Sequence, residues 1–219
     1  MIAMGTDLDR SRRAVEMAGA HPQVWAGVGH YPTEEGEPDI EELRALAAGA
    51  RVVAIGEVGL DFEHEEVSRH DQMVRLDWLF TLATELDLPV SIHNRGAASE
   101  MGELIAAHPG LRGVMHYFAL GVREAEVFLE LGFYVSFAGL ITRPSRSELR
   151  EVVRACPADR LLLETDSPYG QAHKRMGTPN RPAYLLDTAA VVAELRGISL
   201  DALGELETAN ALRLFSRMR

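Results

Sequence analysis

Short apolar runs rich in Val, Ile and Leu alternate with helix-patterned segments along all 219 residues, and this alternation constrains the fold more than any other feature. Strands begin near Met1, Val24, Val52, Pro89, Gly113, Phe133 and Arg160. Helices are predicted over about 9–20, 40–48, 68–86, the segment ending at His108, 122–131, the segment ending at Ala155, 182–196 and 199–215. Ser145 and Glu148 are spaced as a capping box for the helix that ends at Ala155. In the third helix Met73, Leu76, Leu79 or Phe80, Ala83 and Leu86 share one face, which predicts a core stripe. Strands that are apolar almost throughout are buried on both faces, and strands separated by helices pair in parallel.

These units predict one α/β domain over residues 1–219, a TIM (β/α)8-type barrel with seven of its eight strands visible. The first visible strand opens the chain with no helix before it. The expectation is therefore that a strand–helix unit of roughly 25–30 residues is missing ahead of Met1. No linker, repeat or low-complexity stretch suggests a second domain.

The chain is 47% hydrophobic and 25% charged, ordinary for a globular protein able to bury a full core. No apolar run approaches the roughly 18 residues of a membrane span, and the first residues do not read as a secretory signal. The expected location is the cytoplasm, with no membrane partner and no stable protein partner implied. Cys156 is the single cysteine, so there is no disulfide framework, and a small buried residue is expected there. A net charge of -11 argues against a basic surface that grips long nucleic acid. A nucleic-acid substrate would have to be held locally.

The chemistry concentrates where strands give way to loops. In Val52-Val-Ala-Ile-Gly-Glu-Val-Gly-Leu-Asp61, Glu57 follows a predicted strand over Val52–Ile55. His93 follows Val90–Ile92, His116 follows Gly113–Met115, and Asp166 follows Leu161–Thr165. In a parallel barrel the carboxyl ends of the strands share one face, so residues distant in sequence can converge there. Two imidazoles and two carboxylates make a mixed nitrogen and oxygen set suited to Zn²⁺, Mn²⁺ or, with more water, Mg²⁺. A single such histidine is more often a satisfied structural residue than a ligand. Four convergent positions are what give the set its weight.

Ile55-Gly-Glu-Val-Gly-Leu-Asp61, Leu88-Pro-Val-Ser-Ile-His-Asn-Arg95, His116-Tyr-Phe118 and Leu163-Glu-Thr-Asp-Ser-Pro-Tyr169 together resemble the TatD family of metal-dependent nucleases. Gly5-Thr6-Asp7, Asn180-Arg-Pro-Ala-Tyr184 and Asn210-Ala-Leu-Arg-Leu-Phe215 extend the resemblance over nearly the whole chain. It implies a barrel hydrolase with one or two divalent metals (Mg, Mn or Zn), cutting DNA as a 3′→5′ exonuclease or endonuclease. It further implies Glu57, His93, His116 and Asp166 as ligands, with Glu57 bridging or anchoring metal. A His-x-His pair on the family's first strand would lie before Met1, in agreement with the strand count.

The sequence departs from the family around the substrate. Where the family has Gly-x-His-Pro, this chain has Gly29-His30-Tyr31-Pro32, leaving His30 a weak ligand candidate. Gly96 replaces an acidic residue, Ala119-Leu120 replace Ser-Gly, and Arg181 stands where glutamate is common. Arg95, Arg143, Lys174, Arg175 and Arg181 lie in predicted active-face loops and can hold phosphate. Tyr31, Phe62, Tyr117, Phe118 and Tyr169 lie in the same loops and can stack bases of single-stranded DNA. The predicted substrate residues are Arg95, Tyr117, Phe118, Tyr169 and Arg181, and Asp166 is the predicted base for an attacking water. The loop of residues 170–180 reads as a lid or a solvated loop. His21 and His108 read as surface residues, and His64 and His70 as residues without a catalytic role. The same site admits two other functions, hydrolysis of an amide, ester or lactone and a non-catalytic truncated homologue.

Overall fold

The computed structural model describes residues 1–64 and 66–218. By contact density it comprises two compact units: Met1–Val114 with the C-terminal residues from Leu214, and Met115–Arg213. The first unit runs β1 (Ile2–Met4), α1 (Leu8–Ala20), β2 (Trp25–Val28), α2 (Ile40–Ala47), β3 (Val52–Asp61), α3 (Arg69–Glu85), β4 (Val90–Arg95) and α4 (Ala98–Ala107). Strand β5 (Gly113–Met115) leads into the second unit, which continues with α5 (Val122–Glu130), β6 (Tyr134–Phe137), α6 (Ser147–Ala155), β7 (Leu161–Leu163), α7 (Leu185–Arg196) and α8 (Leu200–Leu214). Strand order follows chain order from β1 to β7. The expected alternation is thus present, with element ends shifted by a residue or two.

In the first unit the registers are parallel: Ile2 opposes Trp25, Gly27 opposes Ala54, and Ile55 opposes Val90. In the second, Val135 opposes Leu161 and Phe137 opposes Leu163, also parallel. The helices start where the sequence supplies caps. Asp7 accepts from the Arg10 amide (2.7 Å), Asp39 from the Glu42 amide (3.0 Å) and Ser68 from the Asp71 amide (3.1 Å). The predicted capping box on α6 is absent, because that helix starts at Ser147 behind Arg146, which makes no side-chain cap. The α3 stripe buries Leu76, Leu79, Phe80 and Ala83, with Met73 and Leu86 at its margins. Phe128, Phe133 and Phe137 fill the interior of the second unit.

Strand β3 corrects the expectation that the strand stops at Ile55. It spans Val52–Asp61, with a register shift between Ile55 and Val58. Glycine reads as a loop signal in sequence, but here Gly56 lies in a bulge that lets the strand continue past Glu57, and Gly59 is back in register opposite His93. Gly59 has φ 155, and a Cβ there would lie 1.8 Å from the His93 carbonyl oxygen. Only glycine lets β3 and β4 approach this closely. Replacing Gly59 with Ala is therefore expected to destabilise the fold by about 3 kcal/mol or more in a denaturant titration, against well under 1 kcal/mol for an exposed helical control such as Gly204→Ala.

Candidate metal centre

In the first unit, the bulge of β3 and the C-terminal half of β4 bring Glu57 and His93 together, with Nδ1 of His93 3.5 Å from a Glu57 carboxylate oxygen. Their side chains are 16% and 13% exposed, which is dry enough to matter and open enough to admit a ligand. The other ring nitrogen, Nε2, lies 3.1 Å from Oδ2 of Asp61, whose side chain is fully buried. The same carboxylate oxygen meets His64 Nδ1 at 2.9 Å, and the Glu63 amide donates to Oδ1 at 3.2 Å. Burial pushes the Asp61 carboxyl up, yet the hydrogen bonds and charge of His64 and His93 outweigh it and hold the group below the usual carboxylate range. Gln72 fastens the Asp61 backbone, accepting from its amide at 2.8 Å and donating to its carbonyl at 2.9 Å. The Tyr31 hydroxyl sits 3.1 Å from Nε2 and 3.4 Å from Nδ1 of His93.

In the second unit His116 follows β5 and Asp166 follows β7, with Nε2 of His116 3.7 Å from Oδ1 of Asp166. Nδ1 of His116 lies 2.8 Å from Oε1 of Glu164. Glu164 is tied down in turn: Oε1 accepts from the Tyr117 amide at 2.8 Å, and Oε2 from the Ser136 hydroxyl at 2.7 Å. Tyr117 and Asp166 both adopt left-handed backbone, with φ 47 and 59, a conformation that non-glycine residues hold only when neighbours enforce it. The enforcement is visible. The Asp166 carbonyl accepts from the Tyr169 amide at 2.7 Å, and buried Asn180 donates to the carbonyls of Thr165 and Tyr169, both at 2.7 Å.

Each unit thus repeats one arrangement. A carboxylate, Asp61 or Glu164, accepts the N–H of one ring nitrogen and fixes the tautomer, so the lone pair of the other nitrogen faces Glu57 or Asp166. Sequence reasoning missed Asp61 and Glu164 as partners, although both lie inside motifs it quoted. The available signal was their position on the same strand or loop as the ligand candidates.

The predicted substrate residues separate by environment. Tyr169 is 71% exposed and Arg181 is exposed. Tyr117 is half-buried, with its phenol pushed up by burial and by Asp166. Arg95 is half-exposed and lies 3.8 Å from Asp61 and 4.0 Å from Glu63. Phe118, expected to stack on substrate, is instead 4% exposed and packed in the interior, with its amide on the Ser136 carbonyl, so it can meet no base. Phe62 is likewise buried, under the Arg69 guanidinium. Lys174 and Arg175 are engaged by Asp187 at 2.7 and 2.9 Å, which straps their loop to α7.

The remaining histidines also sort by partner. His30 is 7% exposed, with a buried Nε2 that has no hydrogen-bond partner, and burial, then Arg75, push it below the usual imidazole range. It is Tyr31, not His30, that reaches His93. His108 is a correction to the surface reading: its side chain is 14% exposed, 2.9 Å from Asp77 and edge-on to Phe80. Cys156 is buried as expected, its thiol pushed up to about 12 by desolvation, which leaves no nucleophile at neutral pH.

Residues 1–216 match the family described as TatD related DNase. The chain belongs to the TatD family. It is 34% identical over 217 residues to YcfH of Escherichia coli K12, named an uncharacterized metal-dependent hydrolase, covering 98% of this chain and 82% of that protein. It is 34% identical over 229 residues to TatD of Rahnella sp. Y9602, named a 3′-5′ ssDNA/RNA exonuclease, covering 99% and 86%. The crystal structure of YjjV, a TatD homologue from E. coli K12, superposes with TM-score 0.92 at 32% identity, over 98% of this chain and 85% of that one. The TIM-barrel fold class is thereby borne out, and the chain is a metal-dependent hydrolase of this family.

Two outcomes test the positioning carboxylates. Glu164→Gln keeps the shape but accepts poorly from Nδ1 of His116; metal affinity, measured by equilibrium dialysis, is expected to fall 10- to 100-fold while the circular dichroism spectrum is retained. Glu207 on α8 accepts from the Leu163 amide at 3.0 Å, its other oxygen is buried without a partner, and burial, with Glu164 nearby, raises its carboxyl to about 8 from 4.5. The native state then holds a proton that the unfolded state has lost, so stability falls as pH rises from about 4.5 to about 8. Glu207→Gln is expected to flatten that slope and to gain on the order of 2 kcal/mol over the parent at pH 8 in urea melts.

Proposed function

We propose that this chain hydrolyses phosphodiester bonds in nucleic acid, single-stranded DNA first, with Glu57, His93, His116 and Asp166 holding one or two divalent ions. The observation that carries the reading is the repeated carboxylate–imidazole pair, which leaves one ring nitrogen of His93 and one of His116 turned toward a candidate ligand carboxylate. Glu57 and His93 in the first unit, and His116 and Asp166 in the second, each offer ligand atoms for a metal ion. Mixed imidazole and carboxylate donors favour Mn²⁺ or Zn²⁺ over Mg²⁺. The phosphodiester substrate is supported by the Rahnella relative, whose name gives ssDNA and RNA as its substrates.

A bound divalent ion supplies Lewis acidity that polarises a phosphoryl oxygen and acidifies water. The chain's own residues do the rest. Asp61 and Glu164 hold the two imidazoles in fixed orientation. The Asp166 carboxylate takes the proton from the attacking water at Oδ1, the oxygen on the His116 side. Tyr117, whose amide is held by Glu164, and exposed Tyr169 offer ring faces to bases near that carboxylate.

The test is metal-dependent cleavage of labelled single-stranded DNA by the purified chain, with matched ester and lactone substrates. Cleavage of DNA that falls at least 10²-fold in Asp166→Asn and in His93→Ala is the expected result. A chain that binds metal and hydrolyses the esters or lactones but leaves DNA intact would overturn the substrate assignment.

A further inference from the structure

Arg143 follows the 3-10 turn Gly139–Thr142 beyond the end of β6, in the unit that holds His116 and Asp166. Its Nε is buried and has no hydrogen-bond partner. The contact made by its outer nitrogens is a long one, 3.6 Å to the Met176 sulfur. No carboxylate lies within ion-pairing distance of Arg143 among the described residues, whereas Lys174 and Arg175, in the neighbouring loop, are both neutralised by Asp187. A guanidinium in this state is unusual, because a buried Nε–H without an acceptor loses its hydration and gains nothing in return.

The surroundings say where the missing acceptor belongs. The Tyr117 ring and Asp166 both crowd Gly170: a Cβ on Gly170 would fall 2.8 Å from Tyr117 Cε2 and 3.0 Å from Asp166 Cβ. Gly139, at the start of the turn that presents Arg143, meets the same loop from the other side, a Cβ there falling 2.3 Å from the Gly170 carbonyl oxygen. The turn that presents Arg143, the Tyr117 ring and Asp166 therefore all pack around Gly170, beside the carboxylate assigned as base.

We infer that Arg143 is the anion anchor of the active site, and that the substrate carries a negatively charged oxyanion group, a phosphate or phosphodiester, whose oxygens complete the guanidinium's hydrogen bonds. This deepens the phosphodiesterase reading and rests on it, since a neutral ester or lactone offers no charge to Arg143. Arg is suited to the task because its fork can meet two oxygens of one phosphate. The role is positioning and specificity; Arg143 moves no proton.

The experiment titrates inorganic phosphate into the metal-loaded chain by calorimetry and measures KM for a single-stranded oligonucleotide. Wild type is compared with Arg143→Gln, Arg143→Lys and the exposed neighbour Arg146→Gln. Expected are phosphate affinity and KM worsened about 10- to 100-fold in Arg143→Gln, a smaller loss in Arg143→Lys, and no loss in Arg146→Gln, all at unchanged metal content and melting temperature. Equal losses in Arg143→Gln and Arg146→Gln would mean diffuse surface attraction and would overturn the inference. So would undiminished phosphate binding in a folded Arg143→Gln, even if the wild type cuts DNA, in which case the phosphodiesterase reading stands alone. If the wild type binds phosphate through Arg143 but does not cleave the oligonucleotide, the anchor stands and the assigned substrate falls. If Arg143→Gln does not fold, Arg143→Lys, which keeps the charge and loses the fork, decides the matter by the same two readouts.

Discussion

A carboxylate set against an imidazole is the interaction on which this structure depends, and it is made twice. Asp61 is inaccessible to solvent yet meets the ring nitrogens of both His64 and His93, and the hydrogen bonds and charge of these partners outweigh the desolvation that pushes its carboxyl up. Glu164 spends its two oxygens on His116, the Tyr117 amide and the Ser136 hydroxyl. In both cases a neighbouring carboxylate decides which imidazole lone pair is available. That choice fixes the chemistry open to Glu57 and Asp166, and it explains why further side chains are committed to the two carboxylate residues: Gln72 to the Asp61 backbone in the first unit, and the strand β6 serine to Glu164 in the second.

The backbone pays for this geometry in conformations that ordinary sequences avoid. Gly59 admits the His93 carbonyl where any side chain would collide, and Tyr117 and Asp166 sit in left-handed backbone without being glycine. The last two flank the loops that carry His116 and Asp166, and Asn180 and Glu164 supply the hydrogen bonds that hold them there. Outlying backbone that neighbouring residues over-determine is characteristic of sites that must be preorganised. Preorganisation suits a hydrolase whose imidazoles must be aimed before any ligand arrives.

Much of this was legible in the residues alone, and the failures have physical causes. Apolar runs alternating with helical stripes predicted the parallel order, and polar residues at the ends of those runs picked out Glu57, His93, His116 and Asp166. The continuation of β3 through its bulge was not legible, because Gly56 and Gly59 look like a strand's end unless the pairing of Val58 and Gly59 with Ile92 and His93 is known. Phe118 could not be told from an exposed aromatic, since its burial follows from the ladder contact to Ser136 and not from any local pattern. The pair His30-Tyr31 inverted: one position of displacement sends the imidazole inward and places the phenol on His93. Asp61 and Glu164 were quoted as motif letters but their partners are 32 and 48 residues away in sequence, a distance that no local pattern bridges.

The edge of β7 away from β6 shows how the fold reaches the site from behind. A strand offers the carbonyl of residue i and the amide of residue i+2 to the same side, normally to one residue of a parallel neighbour. Here the Leu161 carbonyl accepts from Asn210 Nδ2 at 2.8 Å and the Leu163 amide donates to Glu207 at 3.0 Å, so two side chains one turn apart on α8 stand in for that residue's backbone. The opposite edge is conventional, with the Glu164 amide on the Phe137 carbonyl at 3.1 Å. Glu164 begins the loop that ends at Asp166, so α8 holds by side chains the strand that delivers both the carboxylate on His116 and the proposed base. The arrangement is also where the fold is least comfortable, because the acceptor it uses is a carboxyl buried near Glu164, and a neutral amide would serve the Leu163 amide without the added charge. An ionisable group kept in that position ties the setting of β7, and through it the orientation of His116, to the protonation of Glu207.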